Sequence, residues 1–314
     1  MNTKYVIIKQ KGMRMKYMFR LVILISLLSV SLSASNKTNL RISADELIAN
    51  INYIKTFNNI NAIVLIDTRS EDLYNRGHIK NALNFPAVKT FENINLNGRL
   101  VNKTKFEQIA RNLGLEKDSA IVIYDNGTFS DSSRLFWALE VYGFSNVKLL
   151  SNSYSYWDLK HYPISKRSRN IMPSEFIAVV DKTKLATKFS TQKATKNEDQ
   201  IIVDARSQIA YTGKISSAIR RGHIPKAVNL PATNNIKKLA NGTTVLYDIE
   251  TLEDIYEDID KNKKIIIYCE IGKLSSTNYF VMRELGFDVS NYDSSWKEWG
   301  NEFYLPITKY QKKM

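Results

Sequence analysis

Cysteine and histidine are scarce in this 314-residue chain, which has one of the first and three of the second. A single cysteine excludes an intramolecular disulfide, so the fold must be held by its core alone. Two of the three histidines, His78 and His223, fall in a repeated Gly-His-Ile, and nothing resembles a metal-ligand cluster. Membrane-length apolar runs are also missing. The stretch "LVILISLLSVSLSA", Leu21 to Ala34, covers about 14 residues against the roughly 20 needed to span a bilayer. Dense runs of one charge are absent too. The formal net charge is +14, from 45 Lys and Arg against 31 Asp and Glu, yet the basic residues are scattered singly and in pairs. That scatter argues against nucleic acid as a partner and predicts a generally basic surface that favours anions.

What is present fits a globular protein, with 44% apolar and 24% charged residues and length enough for two domains. Six basic residues (Lys4, Lys9, Lys11, Arg14, Lys16 and Arg20) and no acidic ones precede the Leu21–Ala34 run, and small residues follow it. This pattern predicts a signal peptide over 1–35, cleaved near Ser33 to Ser35, and export to the periplasm. Contact with a membrane is then expected only through this segment before cleavage, an uncleaved anchor being the alternative. No cysteine stands at the end of the apolar run, which excludes a lipoprotein anchor. A lone thiol sent to an oxidising compartment is a liability unless it is used.

The chain repeats itself. "VLIDTRSEDLYNRGHIKNALNFPA" (64–87) returns as "IIVDARSQIAYTGKISSAIRRGHIPKAVNLPA" (201–232), with an insertion around "GKISSAIR". Asp67 and Arg69 match Asp204 and Arg206, and later landmarks recur in the same order, so the chain is a duplicated domain. Short apolar strands alternate with helical stretches in each copy. The pattern predicts an α/β fold in which each domain is a mainly parallel sheet with helices on both faces. The expected boundaries are 38–165 for the first domain, 166–174 for a linker and 175–312 for the second.

Cys269 ends the apolar run Ile265–Tyr268 and precedes a polar, glycine-bearing loop that leads into a helix. In parallel α/β sheets ligands sit at such junctions. A helix beginning just past the sulfur offers it unpaired N–H groups and the positive dipole end, which favour a thiolate and hold an anionic adduct. Gly272 lets the loop curl with its amides inward. These features predict a nucleophilic cysteine.

Together with Asp-x-Arg and Gly-His-Ile-x-x-Ala-x-Asn-x-Pro in each half, the loop Cys269-Glu270-Ile271-Gly272-Lys273-Leu274 and "YDSSWKEW" (292–299) resemble the tandem-domain rhodaneses, the thiosulfate and 3-mercaptopyruvate sulfurtransferases. The resemblance covers about residues 40–310. It implies an inactive first domain, because Asp125 stands opposite Cys269, and a second domain that moves sulfane sulfur through a Cys269 persulfide. The implied donor is a small anion, thiosulfate ahead of 3-mercaptopyruvate. The implied acceptor is cyanide or a thiol, and no cofactor is required. Expected substrate contacts are Glu270, Ile271, Gly272, Lys273 and Leu274, with Lys273 attracting the donor and Arg206 a further candidate. Arg220 and Arg221 are considered as compensating cations, since the position where many relatives carry a substrate-binding arginine falls at or near Ala210. His78, His223, Trp157, Trp296 and Trp299 are expected to be structural, as are the Asp-x-Arg pairs. A cysteine phosphatase is disfavoured, because residues five to seven after Cys269 are Leu274, Ser275 and Ser276, with no arginine to clamp phosphate. A non-enzymatic persulfide carrier or binding module is the remaining alternative.

Overall fold

The computed structural model describes residues 38–57, 63–96 and 98–309, with the side chains of 51–57 left aside. The predicted leader over 1–35 lies outside the described residues. Five strands form the first sheet: β1 (Arg41–Ile42), β2 (Val64–Asp67), β3 (Leu83–Asn84), β4 (Ile121–Tyr124) and β5 (Val147–Leu150). They run in the order β1-β5-β4-β2-β3, every pair parallel. The second sheet contains β6 (Leu185–Ala186), β7 (Gln200–Asp204), β8 (Val228–Asn229), β9 (Lys264–Tyr268) and β10 (Val289–Tyr292). Its order, β6-β10-β9-β7-β8, repeats the first strand for strand, again all parallel. The duplication read in the sequence is thus a duplication of topology.

Successive residues of each strand point to opposite faces, and both faces of both sheets are buried. On β4, Ile121 and Ile123 enter a core shared by the two halves, whereas Val122 and Tyr124 enter a separate outer cluster with Ala44, Leu47 and Trp157. On β9, Ile265 and Ile267 face the shared core, while Ile266 and Tyr268 meet Trp296 and Trp299 outside. Two helices meet in the shared core: α1 (Ser130–Val141), which follows β4, and α2 (Ser275–Glu284), which follows β9. Phe136 meets Phe280 edge-on at 5.0 Å, and the Tyr279 hydroxyl donates to Glu140 at 2.6 Å.

The two halves also cover each other's loops. Residues 236–246 form a hairpin in the second half, and Thr244 Oγ1 donates to the carbonyl of Gly127, in the loop after β4. Reciprocally, the first-half segment around Gly98 lies so close to Ile271, in the loop after β9, that a Cβ at Gly98 would stand 2.8 Å from that of Ile271. The connection between halves docks on the first: Ser174 Oγ donates to the Leu115 carbonyl at 2.6 Å, Arg111 Nε to the Phe176 carbonyl at 2.7 Å, and Phe176 stacks on Phe144.

Candidate active site

At the end of β2 and of β7 the same device recurs. Arg69 is bound to Asp67 at 2.6 Å and to the Gly77 carbonyl at 2.7 Å; Arg206 is bound to Asp204 at 2.7 Å and to the Gly222 carbonyl at 2.8 Å. The Tyr124 and Tyr268 hydroxyls complete the two clusters by donating to Asp67 and Asp204. His78 and His223 stack on Tyr74 and Tyr211, with Nδ1 2.9 Å from the carbonyl of the same tyrosine. The histidines and the Asp-x-Arg pairs therefore make the same bonds at the same strand ends in both copies. Trp157, Trp296 and Trp299 are fully buried core.

Cys269 is fully buried at the end of β9 and packs against Ala205 and Ala232. Its N–H donates to Ser295 Oγ at 3.1 Å and its carbonyl accepts from Trp296 N–H at 2.9 Å, so both of its backbone groups are spent on the segment after β10. Ser275 Oγ, at the start of α2, lies 3.4 Å from Sγ and 2.7 Å from Asn291 Oδ1. A hydroxyl has one proton to give. It can serve Asn291 while the sulfur is a thiol and turn to the sulfur when the sulfur carries charge.

The loop 270–274 is shaped from outside. The Gly272 carbonyl accepts from Ser276 Oγ at 2.7 Å, Arg134 Nη1 at 3.1 Å and Asn291 Nδ2 at 3.2 Å. Because a trans peptide points its N–H opposite to its carbonyl, these three donors turn the Lys273 N–H the other way. Gly272 has φ +72, and a Cβ there would stand 2.6 Å from the Asp293 carbonyl oxygen. Among the described residues, the amides of 270–274 have no acceptor in the protein. The first half shows what such a loop holds. There the Asp125 carboxylate accepts from the N–H groups of Gly127 at 2.6 Å and of Phe129 and Ser132 at 3.2 Å. Burial pushes the Asp125 carboxyl up from its ordinary range, and these N–H groups pull it back. The first loop fills its cradle with its own anion, and the second leaves its amides free beside a sulfur.

A first-half residue completes the second site. Arg134, on α1, is fully buried and donates to the carbonyls of Gly98 and Gly272 at 3.1 Å each and to Asp293 Oδ1 at 3.2 Å. Asp293 Oδ2 in turn accepts from the Leu100 N–H at 2.6 Å. Burial lowers the Arg134 pKa, against the pull of Asp293 and Cys269, and raises that of Asp293, against the pull of Arg134. The first half, which carries Asp125 where the second carries Cys269, thus supplies the clamp on the loop after β9.

Of the predicted contacts, Glu270 and Leu274 line a cavity of about 250 Å³ with Arg206, Ala205, Ala210, Ile215, Ala232 and Thr233. Ile271 packs on Gly98 instead, and Gly272 makes the left-handed turn of the loop. Lys273 is not a free cation: its Nζ pairs with Asp131 at 2.7 Å, because the start of α1 lies beside the loop. Arg220 is spent on the carbonyls of Gly300, Leu305, Trp299 and Glu302, and Arg221 on that of Lys214, so neither compensates at the cavity. Arg206 does reach it. Asp204 and other neighbours outweigh the desolvation that opposes its charge and raise its pKa, while Nη1 is left without a hydrogen bond, 3.7 Å from Glu270 Oε1.

Parallel duplicated sheets with a cysteine at one strand–helix junction and an aspartate at the other define a two-domain rhodanese fold, and the profile of the rhodanese-like domain matches residues 43–160 and 186–302. The chain belongs to the rhodanese family. It is 28% identical over 283 residues to a provisionally assigned thiosulfate sulfurtransferase of Saccharopolyspora erythraea, covering 86% of this chain and 99% of that protein. It is likewise 28% identical to the sulfur carrier protein TtuD of Thermus thermophilus, over 76% of this chain and 87% of that one. Among solved structures, the 3-mercaptopyruvate sulfotransferase SseA of Escherichia coli superposes with a TM-score of 0.71 at 24% identity, over 82% of this chain and 99% of that one. EanB, with ergothioneine linked to a persulfide cysteine, gives 0.77 at 20% identity, over 89% of this chain and 72% of that one.

Proposed function

We propose that the protein is a sulfurtransferase in which Cys269 takes a sulfane sulfur from a small donor and passes it to cyanide or a thiol. The names of the relatives, thiosulfate and 3-mercaptopyruvate sulfurtransferases among them, support the reaction class. The observation that carries the mechanism is the contrast between loops: among the described residues, amides 270–274 stand without acceptors in the loop that follows the thiol, where the other copy spends three of its amides on Asp125. A persulfide anion on Cys269 meets those amides and the Ser275 hydroxyl, which stabilise its terminal charge without a cation.

In the first half-reaction the Cys269 thiolate attacks the outer sulfur of the donor, and the donor's S–S bond breaks with its electron pair leaving on the inner fragment. In the second, the acceptor attacks the outer sulfur and releases the thiolate. Steady-state rates with donor and acceptor varied should give the parallel lines of a ping-pong scheme. Intersecting lines would remove the covalent intermediate, and an absence of turnover with any donor would favour a carrier or binding module. The basic and then apolar leader supports export, which the N-terminal mass of protein from a periplasmic fraction tests.

A further inference from the structure

Ala205, Ala210, Ile215, Ala232 and Leu274 give the cavity largely apolar walls, Ser207 and Thr233 add hydroxyls, its charged lining is Arg206 and Glu270, and two of its walls, Ala205 and Ala232, pack directly on Cys269. The one positive charge of Arg206 stands against two carboxylates, Asp204 at 2.7 Å and Glu270 at 3.7 Å. These three side chains therefore carry a net negative charge. Glu270 is fixed in that place from two sides, by Arg206 and by the Ser217 hydroxyl of the inserted segment. The cations nearest the loop are already matched, Lys273 by Asp131 and Arg134 by Asp293. Among the described residues, no unpaired cation lines the cavity.

Thiosulfate brings two negative charges. Inside a partly desolvated cavity it meets the Glu270 carboxylate at short range, where like charges repel far more strongly than in water. A donor with an apolar group and one charge fewer meets less repulsion and gains contact with the walls.

We propose that the cavity selects an organic sulfane-sulfur donor carrying at most one negative charge and an apolar group, in preference to thiosulfate, with Glu270 as the residue that sets the preference. The proposal rests on the sulfurtransferase reading. Cys269 thiolate forms a bond to the donor's outer sulfur, and the bond between outer and inner sulfur breaks. Its electron pair leaves with the organic fragment, as a thiolate from a hydropersulfide or as a sulfinate from a thiosulfonate. The outer sulfur stays on Cys269 as the persulfide, so no oxidant or reductant is needed.

Benzenethiosulfonate and thiosulfate are matched probes, both delivering an outer sulfur bonded to an oxidised one. Their kcat/KM values are to be compared in the full chain at fixed ionic strength, with cyanide as acceptor and thiocyanate as readout. The wild type should favour benzenethiosulfonate. Glu270→Gln removes the repulsion and frees Arg206 Nη1, so kcat/KM for thiosulfate should rise roughly tenfold and the preference should narrow. Ile215 is half exposed at the cavity wall, so Ile215→Arg adds a cation without burying it and should shift the ratio the same way. A wild type that favours thiosulfate, or thiosulfate values that neither substitution raises, would overturn the proposal while leaving sulfur transfer intact. Thiocyanate from neither probe, with no sulfur gained by Cys269, would overturn the sulfurtransferase reading itself.

Discussion

A cysteine on a buried strand end is most often a small core residue, and Cys269 touches two alanines as such a residue would. What distinguishes it is the row of amides beside it. Cys269→Ser should abolish sulfur transfer, by at least about 10³-fold, while the melting temperature stays within about 4 °C of the wild type. Activity equal to the wild type would contradict the nucleophile. Gly272→Ala tests the loop, since its φ of +72 and the Asp293 oxygen 2.6 Å from an added Cβ both resist a side chain. It should cost about 1–3 kcal/mol and lower kcat, which turnover and denaturant melts read separately. His223 is scaffold, and burial holds its pKa below 6.5 despite the Tyr211 carbonyl. The unfolded chain thus binds the proton more readily. The stability His223 contributes is present above pH 6.5 and is lost as pH falls through the lower native value. His223→Gln should flatten the decline of melting temperature between pH 6.5 and about pH 5, and an unchanged slope would exclude this titration. Cys269 and the Asp-x-Arg pairs were legible because strand end, loop and partner are adjacent in sequence. Ser275 and Asn291 were not, because only the parallel pairing of β9 with β10 brings Asn291 to the loop.

Helix α1 shows how much of a site an element from the other half can carry. The repeat places Thr277 opposite Arg134, and a charged residue inside "RLFWAL" was the available signal, since a fully buried arginine needs several acceptors. Its acceptors, Thr90, Gly98, Gly272 and Asp293, lie far apart along the chain, so no local pattern could name them. Arg134→Lys keeps the charge but cannot fork to all four. It should lower kcat about 10- to 100-fold, with a smaller change in donor KM. Arg134→Gln strands Asp293 and should in addition cost about 3–5 kcal/mol by denaturant titration. A normal kcat in the lysine variant would reduce Arg134 to a packing role. The strands and the loops after β4 and β9 were readable from period and repeat. The docking of 174–181 on the first half was not, because its hydrogen bonds go to residues 107–142, distant in sequence.

Across the whole molecule, the two halves share one apolar core, and each covers the other's loop. The linker is different: residues 166–170 are exposed and carry Lys166, Arg167 and Arg169. Limited trypsin digestion should cut there, and the nicked halves should elute together and remain active, because separating them would expose the shared core. Halves that part in native buffer would contradict that core. The central claim, a persulfide cycle on Cys269, is tested most directly by the intact mass of the protein before and after a sulfane donor, followed by cyanide. Thiosulfate and benzenethiosulfonate are to be used in turn, with Cys269→Ser alongside. A gain of one sulfur atom that maps to Cys269, is removed by cyanide and is absent from the serine variant is the predicted result. No gain with either donor, or a gain that the serine variant also shows, would contradict it.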